Sequence, residues 1–215
     1  MMKKLTLLFV FAAAAMSLQA RSFEWGIRAG VNVSSLGEFD LPIAEREDSG
    51  LEGKPGIYAG LFGQFRVSGN WAIETGLFYA QMGGRNKEND RNEAYKVTAD
   101  PAYLQLPVSV FYRFNLTDRF SLYPSLGVYA GYGLSGNMTV EGTVNSEDVG
   151  MKADYFDKFA ERLDLGVTAG ANARYGRFIL GLHYDQGITR VNKTKVPYGD
   201  NALNSNFRAA LSFVF

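Results

Sequence analysis

The residues best suited to chemistry stand two apart near the C-terminal end: His183 and Asp185. In an extended strand, residues two apart share a face. An imidazole and a carboxylate pointing the same way could work as an acid/base dyad; the plainer reading is a hydrogen-bond network. No Ser stands where it could act as nucleophile beside them. His183 is the only histidine, and there is no cysteine. That excludes a multi-histidine metal site, a thiolate-ligated zinc or iron–sulfur centre, a cysteine nucleophile and a disulfide scaffold. No catalytic, cofactor or metal set is assigned, and a non-enzymatic protein is expected.

His183 and Asp185 lie on a face that carries nine more titratable residues: Glu24, Arg28, Arg66, Glu74, Arg113, Arg162, Asp164, Arg174 and Arg208. Eight segments position them, each alternating with period two: residues 23–33, 55–67, 71–81, 103–114, 120–134, 162–175, 178–187 and 206–215. In the first, Phe23, Trp25, Ile27, Ala29, Val31 and Val33 share one face, and Glu24, Gly26, Arg28, Gly30 and Asn32 share the other. Such alternation marks half-buried strands. Short turns at 68–70, 115–119 and 175–177 alternate with long polar loops at 34–54, 82–100, 135–160 and 188–204. The pattern predicts an all-β, eight-stranded, antiparallel up-and-down barrel. Pro107 and Pro124 fall inside strands, where a bulge or kink is expected.

Composition fits such a fold. The 215 residues include 24 Gly, 16 Phe and 12 Tyr, a mixture that favours strands and turns. A hydrophobic content of 47% argues against a disordered chain. The balance of 22 basic and 22 acidic residues gives no sign of nucleic acid as a partner. Lys3 and Lys4 precede an apolar run over 5–16 and the small-residue end Ser17-Leu18-Gln19-Ala20. Residues 1–20 are read as a secretory signal peptide and 21–215 as the barrel domain.

Parity alone allows two barrels. A soluble lipocalin-like carrier would turn its charges outward around an apolar cavity, whereas an outer-membrane barrel turns them inward. Three features favour the membrane. Gly26, Gly30, Gly60, Gly76, Gly127, Gly131, Gly166, Gly170 and Gly181 share the charged face, as a narrow lumen needs. Apolar-face aromatics bunch by the short turns (Trp25, Phe65, Trp71, Phe114, Phe120, Tyr175, Phe178 and Phe213) and, more sparsely, by the long loops (Tyr79, Tyr132, Tyr184 and Phe207). Two aromatic belts mark two bilayer interfaces. Last, Leu211, Phe213 and Phe215 end the chain on one face, like the C-terminal signal read by barrel-assembly machinery. About ten residues at ~3.3 Å rise, tilted ~45°, span roughly 23 Å, close to the apolar band of such barrels.

The segment Phe23-Glu-Trp-Gly-Ile-Arg-Ala-Gly-Val-Asn-Val-Ser resembles the opening strand of the small outer membrane protein beta-barrel domain (PorT-like porin) family of Bacteroidetes-type bacteria. Tyr103-Leu-Gln-Leu-Pro107 with Tyr112-Arg-Phe114, Arg162-Leu-Asp-Leu-Gly166, Gly176-Arg-Phe-Ile-Leu-Gly181 and Tyr184-Asp-Gln-Gly187 resemble its later strands. The resemblance implies a cell outer-membrane location and no shared catalytic motif. A few relatives assist protein secretion, a role that barrel residues alone do not transfer.

The expected interior is a polar network plugging the barrel, with ion pairs drawn from Arg28, Glu74, Asp164, Arg174, Asp185 and Arg208. Termini are expected in the periplasm and the long loops outside. The first loop is net −4, the third net −3 with Asp154 and Asp157 flanking Tyr155 and Phe156, and the fourth net +2. These loops could meet lipopolysaccharide or an unidentified surface partner; the barrel wall would meet outer-membrane lipid. The alternatives are a small-solute channel, an accessory barrel for secretion, and an envelope enzyme using His183 and Asp185.

Overall fold

A computed structural model of the chain describes residues 23–37, 50–89, 93–144, 147–158, 160–191 and 203–215. The predicted signal peptide lies outside them, as do Glu38, Asp40, Glu45, Glu47 and Asp48 of the first loop and Lys193, Lys195 and Asp200 of the fourth. In chain order the elements are β1 (Phe23–Gly37), β2 (Gly50–Ser68), β3 (Trp71–Gln81), β4 (Gly84–Asn89), β5 (Glu93–Ala99), β6 (Ala102–Tyr112), β7 (Phe114–Asn115), β8 (Phe120–Ser135), β9 (Asn137–Val144) and β10 (Glu147–Asp154). A four-residue helix α1 (Tyr155–Lys158) follows, then β11 (Leu163–Tyr175), β12 (Phe178–Gly187) and β13 (Leu203–Val214).

Eight strands close into a barrel in the antiparallel order β1-β2-β3-β6-β8-β11-β12-β13, with β13 returning to β1. Two-residue turns join β2 to β3 and β11 to β12; Gly69 and Gly176 supply the positive φ (54° and 59°) that such tight hairpins demand. Side chains alternate along the barrel strands. Leu126 and Val31 are 68% and 61% exposed, while Arg208 and Asp164 are 3% and 1% exposed. Apolar outside and charged inside is the reverse of a lipocalin, so the soluble-carrier alternative falls.

The structure departs from the sequence reading in four places. The second and third long loops are not irregular. They form the sheet β4-β5-β9-β10, attached to the barrel where Glu52 and Gly53 of β2 pair with Arg85 and Gly84. Short range explains the miss: β5 pairs with β9, about 45 residues away, so neither hairpin shows its partner locally. Second, Tyr155 and Phe156 are buried rather than displayed. They join Met82, Val97, Ala99 and Met138 in a core at the long-loop mouth, where Phe156 packs edge-on to Tyr103 with ring centroids 5.5 Å apart.

Third, neither proline makes a bulge. Register runs unbroken across Pro107↔Tyr129 and Pro124↔Ala171. Each proline instead leaves a gap in one ladder. The fourth predicted strand splits at Arg113, beside Pro124, into β6 and β7, and the Thr75 hydroxyl donates to the Pro107 carbonyl (2.9 Å). Fourth, the lumen is not lined by polar and small residues alone. Tyr58, Phe62, Phe78, Tyr103, Phe111, Tyr123 and Tyr129 are buried there. Glycines make the space: a Cβ on Gly26, Gly60, Gly76, Gly133 or Gly166 would sit 2.3–2.8 Å from the ring of Phe62, Phe78, Phe78, Phe156 or Tyr129 respectively.

This complementarity predicts that Gly166→Val, which drives a side chain into Tyr129 and the Gln186 carbonyl, costs about 1–3 kcal/mol. Urea unfolding in detergent, followed by gel mobility of unheated samples, measures it.

Candidate functional site in the barrel lumen

Eight strands enclose a lumen that side chains can fill. Alternation delivers one inward residue from every second position of each strand, and the charges among them meet at four levels. Nearest the short turns, Arg174 grips Glu24 with two bonds (2.7 and 2.9 Å), and Arg113 reaches the same carboxylate at 3.4 Å. Gln64 accepts from Arg113 (3.0 Å) and donates to Glu74 (2.8 Å), linking this level to the next.

At the second level, Arg28 holds Glu74 in a two-pronged pair (2.7 and 2.9 Å) and donates its Nε–H to Ser212 (2.8 Å). The Arg28 guanidinium lies 4.6 Å from the centroid of the Phe62 ring. At the third level, Arg208 pairs with Asp185 (3.1 Å), donates to Gln105 (3.3 Å) and Thr168 (3.2 Å), and lies 4.6 Å from the Tyr58 ring centroid. β6 and β13 stand on opposite sides of the eight-strand ring, so the Arg208–Gln105 bond crosses the lumen.

The fourth level differs. Asp164 accepts from Asn204 (2.9 Å), the Tyr129 hydroxyl (3.1 Å) and the Thr189 hydroxyl (3.4 Å). Among the described residues no cation pairs with it, which corrects the expected ion pair; neutral donors satisfy this carboxylate instead. Arg162 also departs from the predicted interior set. It sits at the long-loop rim just before β11, donates to the carbonyls of Gly133 (3.0 Å) and Leu134 (3.2 Å), and covers Phe156.

His183 and Asp185 both point inward but serve different partners. The His183 Nε2 meets the Asn172 side-chain oxygen at 3.0 Å, and Asp185 belongs to Arg208. The two share no hydrogen bond among the described residues. Among the described residues, no group of three or more His, Asp or Glu side chains could hold a metal ion.

The uncharged members of this network, Gln64, Gln105, Thr168, Asn172, Asn204, Asn206 and Ser212, were not singled out by sequence. Their signal is the same alternation: Gln105 falls between Leu104 and Leu106, Ser212 between Leu211 and Phe213. Outside, the predicted interface aromatics are direct neighbours across strands. Register aligns Phe120, Tyr175, Phe178 and Phe213 on four adjacent strands, and Tyr184 lies opposite Phe207. Trp25 stacks on Phe215 (4.3 Å), which contacts Phe213 in turn (5.3 Å). The remaining aromatics near the long loops, Tyr79 and Tyr132, are exposed on the barrel wall, as are Trp71 and Phe114; the Phe65 ring packs tilted against Phe23, centroids 4.7 Å apart.

A closed antiparallel barrel with an apolar wall, aromatic rims and an ion-paired lumen defines a transmembrane protein of the outer-membrane class. Residues 12–192 match the family described as outer membrane protein beta-barrel domain, and the chain belongs to that family. It is an outer-membrane β-barrel protein. Among solved structures it is similar to Ail, the attachment invasion locus protein of Yersinia pestis (13% identity, 89% of this chain and 98% of that one, TM-score 0.41). It is also similar to Neisserial surface protein A (13%, 91% and 100%, TM-score 0.42) and to a major outer membrane protein of Thermus thermophilus (10%, 91% and 100%, TM-score 0.47). No curated protein matches its sequence.

The lumen geometry predicts unequal costs for breaking its pairs. Arg28→Met strands Glu74 in a buried site and is expected to cost about 3–5 kcal/mol, whereas Arg28→Met with Glu74→Leu recovers most of that loss. Arg174→Met, at a half-buried rim pair, costs about 1 kcal/mol or less. Urea titrations of the purified variants, read by tryptophan fluorescence, check this ranking.

Proposed function

We propose that the protein is a structural and interaction barrel: its lumen is plugged, and it acts through the surface beyond the long-loop rim. The observation that carries this reading is the cross-lumen bonding of Arg208 to Gln105, backed by the Arg28–Glu74 and Arg174–Glu24 pairs below it and by Phe156 above. A solute file would have to part these buried ion pairs. The sheet β4-β5-β9-β10 is the surface for a partner or for lipopolysaccharide. Its Lys96–Glu141 pair (2.7 Å) holds the Glu141 carboxyl below its ordinary titration range. Here the Lys96 ammonium donates to that carboxylate and attracts its charge.

On this reading residues 1–20 are a cleaved signal peptide and the termini lie in the periplasm. Leu211, Phe213 and Phe215 then carry the strand that the barrel-assembly machinery reads. Support for that strand's role comes from its position: β13 closes the barrel on β1, and the Phe215 N–H donates to the Trp25 carbonyl (3.0 Å).

Two measurements test the proposal. In planar bilayers the purified protein is expected to give no steady conductance; a stable open channel would favour the solute-channel reading. Because the chain has no cysteine, single cysteines report orientation cleanly. Gly150→Cys, at an open position on β10, should react with a membrane-impermeant maleimide in intact cells, and Arg177→Cys, on a short turn, only after the outer membrane is breached. The opposite pattern would reverse the topology.

A further inference from the structure

At its short-turn end the lumen opens into a small polar cleft of about 50 Å³ lined by Glu24, Gln64, Arg66, Asn70, Arg113 and Asn115. Its charges do not balance. Arg113 and Arg174 both contact one carboxylate, that of Glu24, and Arg66 lines the same cleft as Glu24 and Arg113. Arg174 already occupies both Glu24 oxygens at 2.7 and 2.9 Å, which leaves Arg113 a long contact of 3.4 Å on an oxygen that is in use. The Arg113 Nε is buried with no hydrogen-bond partner. Arg66 is exposed and has no carboxylate within ion-pair distance among the described residues.

Guanidinium groups kept close together repel, and enclosure weakens the water screening that would relieve them. Every other arginine–carboxylate pair in the lumen is matched one to one: Arg28 with Glu74, Arg208 with Asp185. At the mouth, by contrast, Arg113 and Arg174 share a single carboxylate, and they do so where a cleft opens to solvent. An oxyanion supplies what is missing: negative charge, and acceptors for a guanidinium edge that geometry suits to carboxylate or phosphate. The side-chain amides of Asn70 and Asn115 add neutral donors on the cleft wall.

We propose that the short-turn mouth of the barrel is an oxyanion-binding cleft, in which Arg66 and Arg113 take a carboxylate or phosphate group. The orientation proposed above makes its ligand periplasmic, either the terminal carboxylate of a peptide or a free phosphate. The cleft itself does not depend on that orientation, since it is tested on purified protein open to solvent at both ends.

Calorimetric titration of the full barrel domain in detergent micelles provides the test, with three probes: N-acetyl-Ala-Ala, its C-terminal amide, and inorganic phosphate. The expected result is saturable binding of the free acid or of phosphate, and none of the amide. Whichever probe binds identifies the source, and binding of either supports the cleft. Arg66→Gln, at an exposed residue outside the lumen pairs, should weaken binding roughly tenfold, the worth of one charge-assisted bond. Arg190→Gln, at the far mouth, should leave it unchanged. Absence of saturable binding by both oxyanions would overturn the proposal. So would equal binding of the amide, an unaltered Kd in Arg66→Gln, or an equal loss in Arg190→Gln. Reversed maleimide labelling would change the ligand's compartment and leave the cleft intact.

Discussion

A polypeptide in hydrocarbon finds no water for its N–H and C=O groups, and every other feature of this molecule follows from that constraint. Strands can satisfy it only if the sheet has no edge. Here β13 pairs with β1 from Gly26↔Val214 to Gly37↔Leu203, and β1 pairs onward with β2, so the ring is complete. Closure at eight strands sets a narrow bore. The bore sets which side chains can coexist inside, and those side chains decide what the barrel can do.

The lumen meets that demand by two kinds of complementarity. Bulk is matched to absence: rings on one strand lie over glycines on the next, as Tyr129 does over Gly166. Charge is matched to charge: Arg28 with Glu74 and Arg208 with Asp185, each guanidinium also covered by an aromatic ring from β2. A buried ion pair of this kind contributes little net stability, but losing one partner is costly. It acts as a register lock more than as glue, since a one-residue slip of any strand would turn its charge toward lipid. Filled this way, the bore keeps His183 and Asp185 buried and engaged by different neighbours.

The two mouths are built differently. At the long-loop end, hairpins from distant parts of the chain form a second sheet, and Phe156 is drawn down beside Tyr103. The short-turn end has only tight hairpins, so its surface is made by the last inward residues of the barrel strands. There Arg113 and Arg174 share the Glu24 carboxylate, whereas deeper in the lumen Arg28 and Arg208 each hold a carboxylate of their own.

Much of the fold was legible in the residues. A period-two alternation records which face meets lipid, and turn chemistry such as Tyr175-Gly-Arg-Phe178 records where the chain reverses. Both are local properties, written within a few residues, and they gave eight strands, their order and the charged face. Pairing inside the lumen is not local. That Asp164 meets Asn204 and Tyr129 rather than an arginine, that His183 turns to Asn172 and away from Asp185, and that β5 finds β9 all depend on barrel shear and on contacts between residues 11 to about 45 positions apart. Alternation assigns a residue to a face, but the closed ring assigns its neighbour across the bore, because partners there are set by tilt and register rather than by sequence spacing.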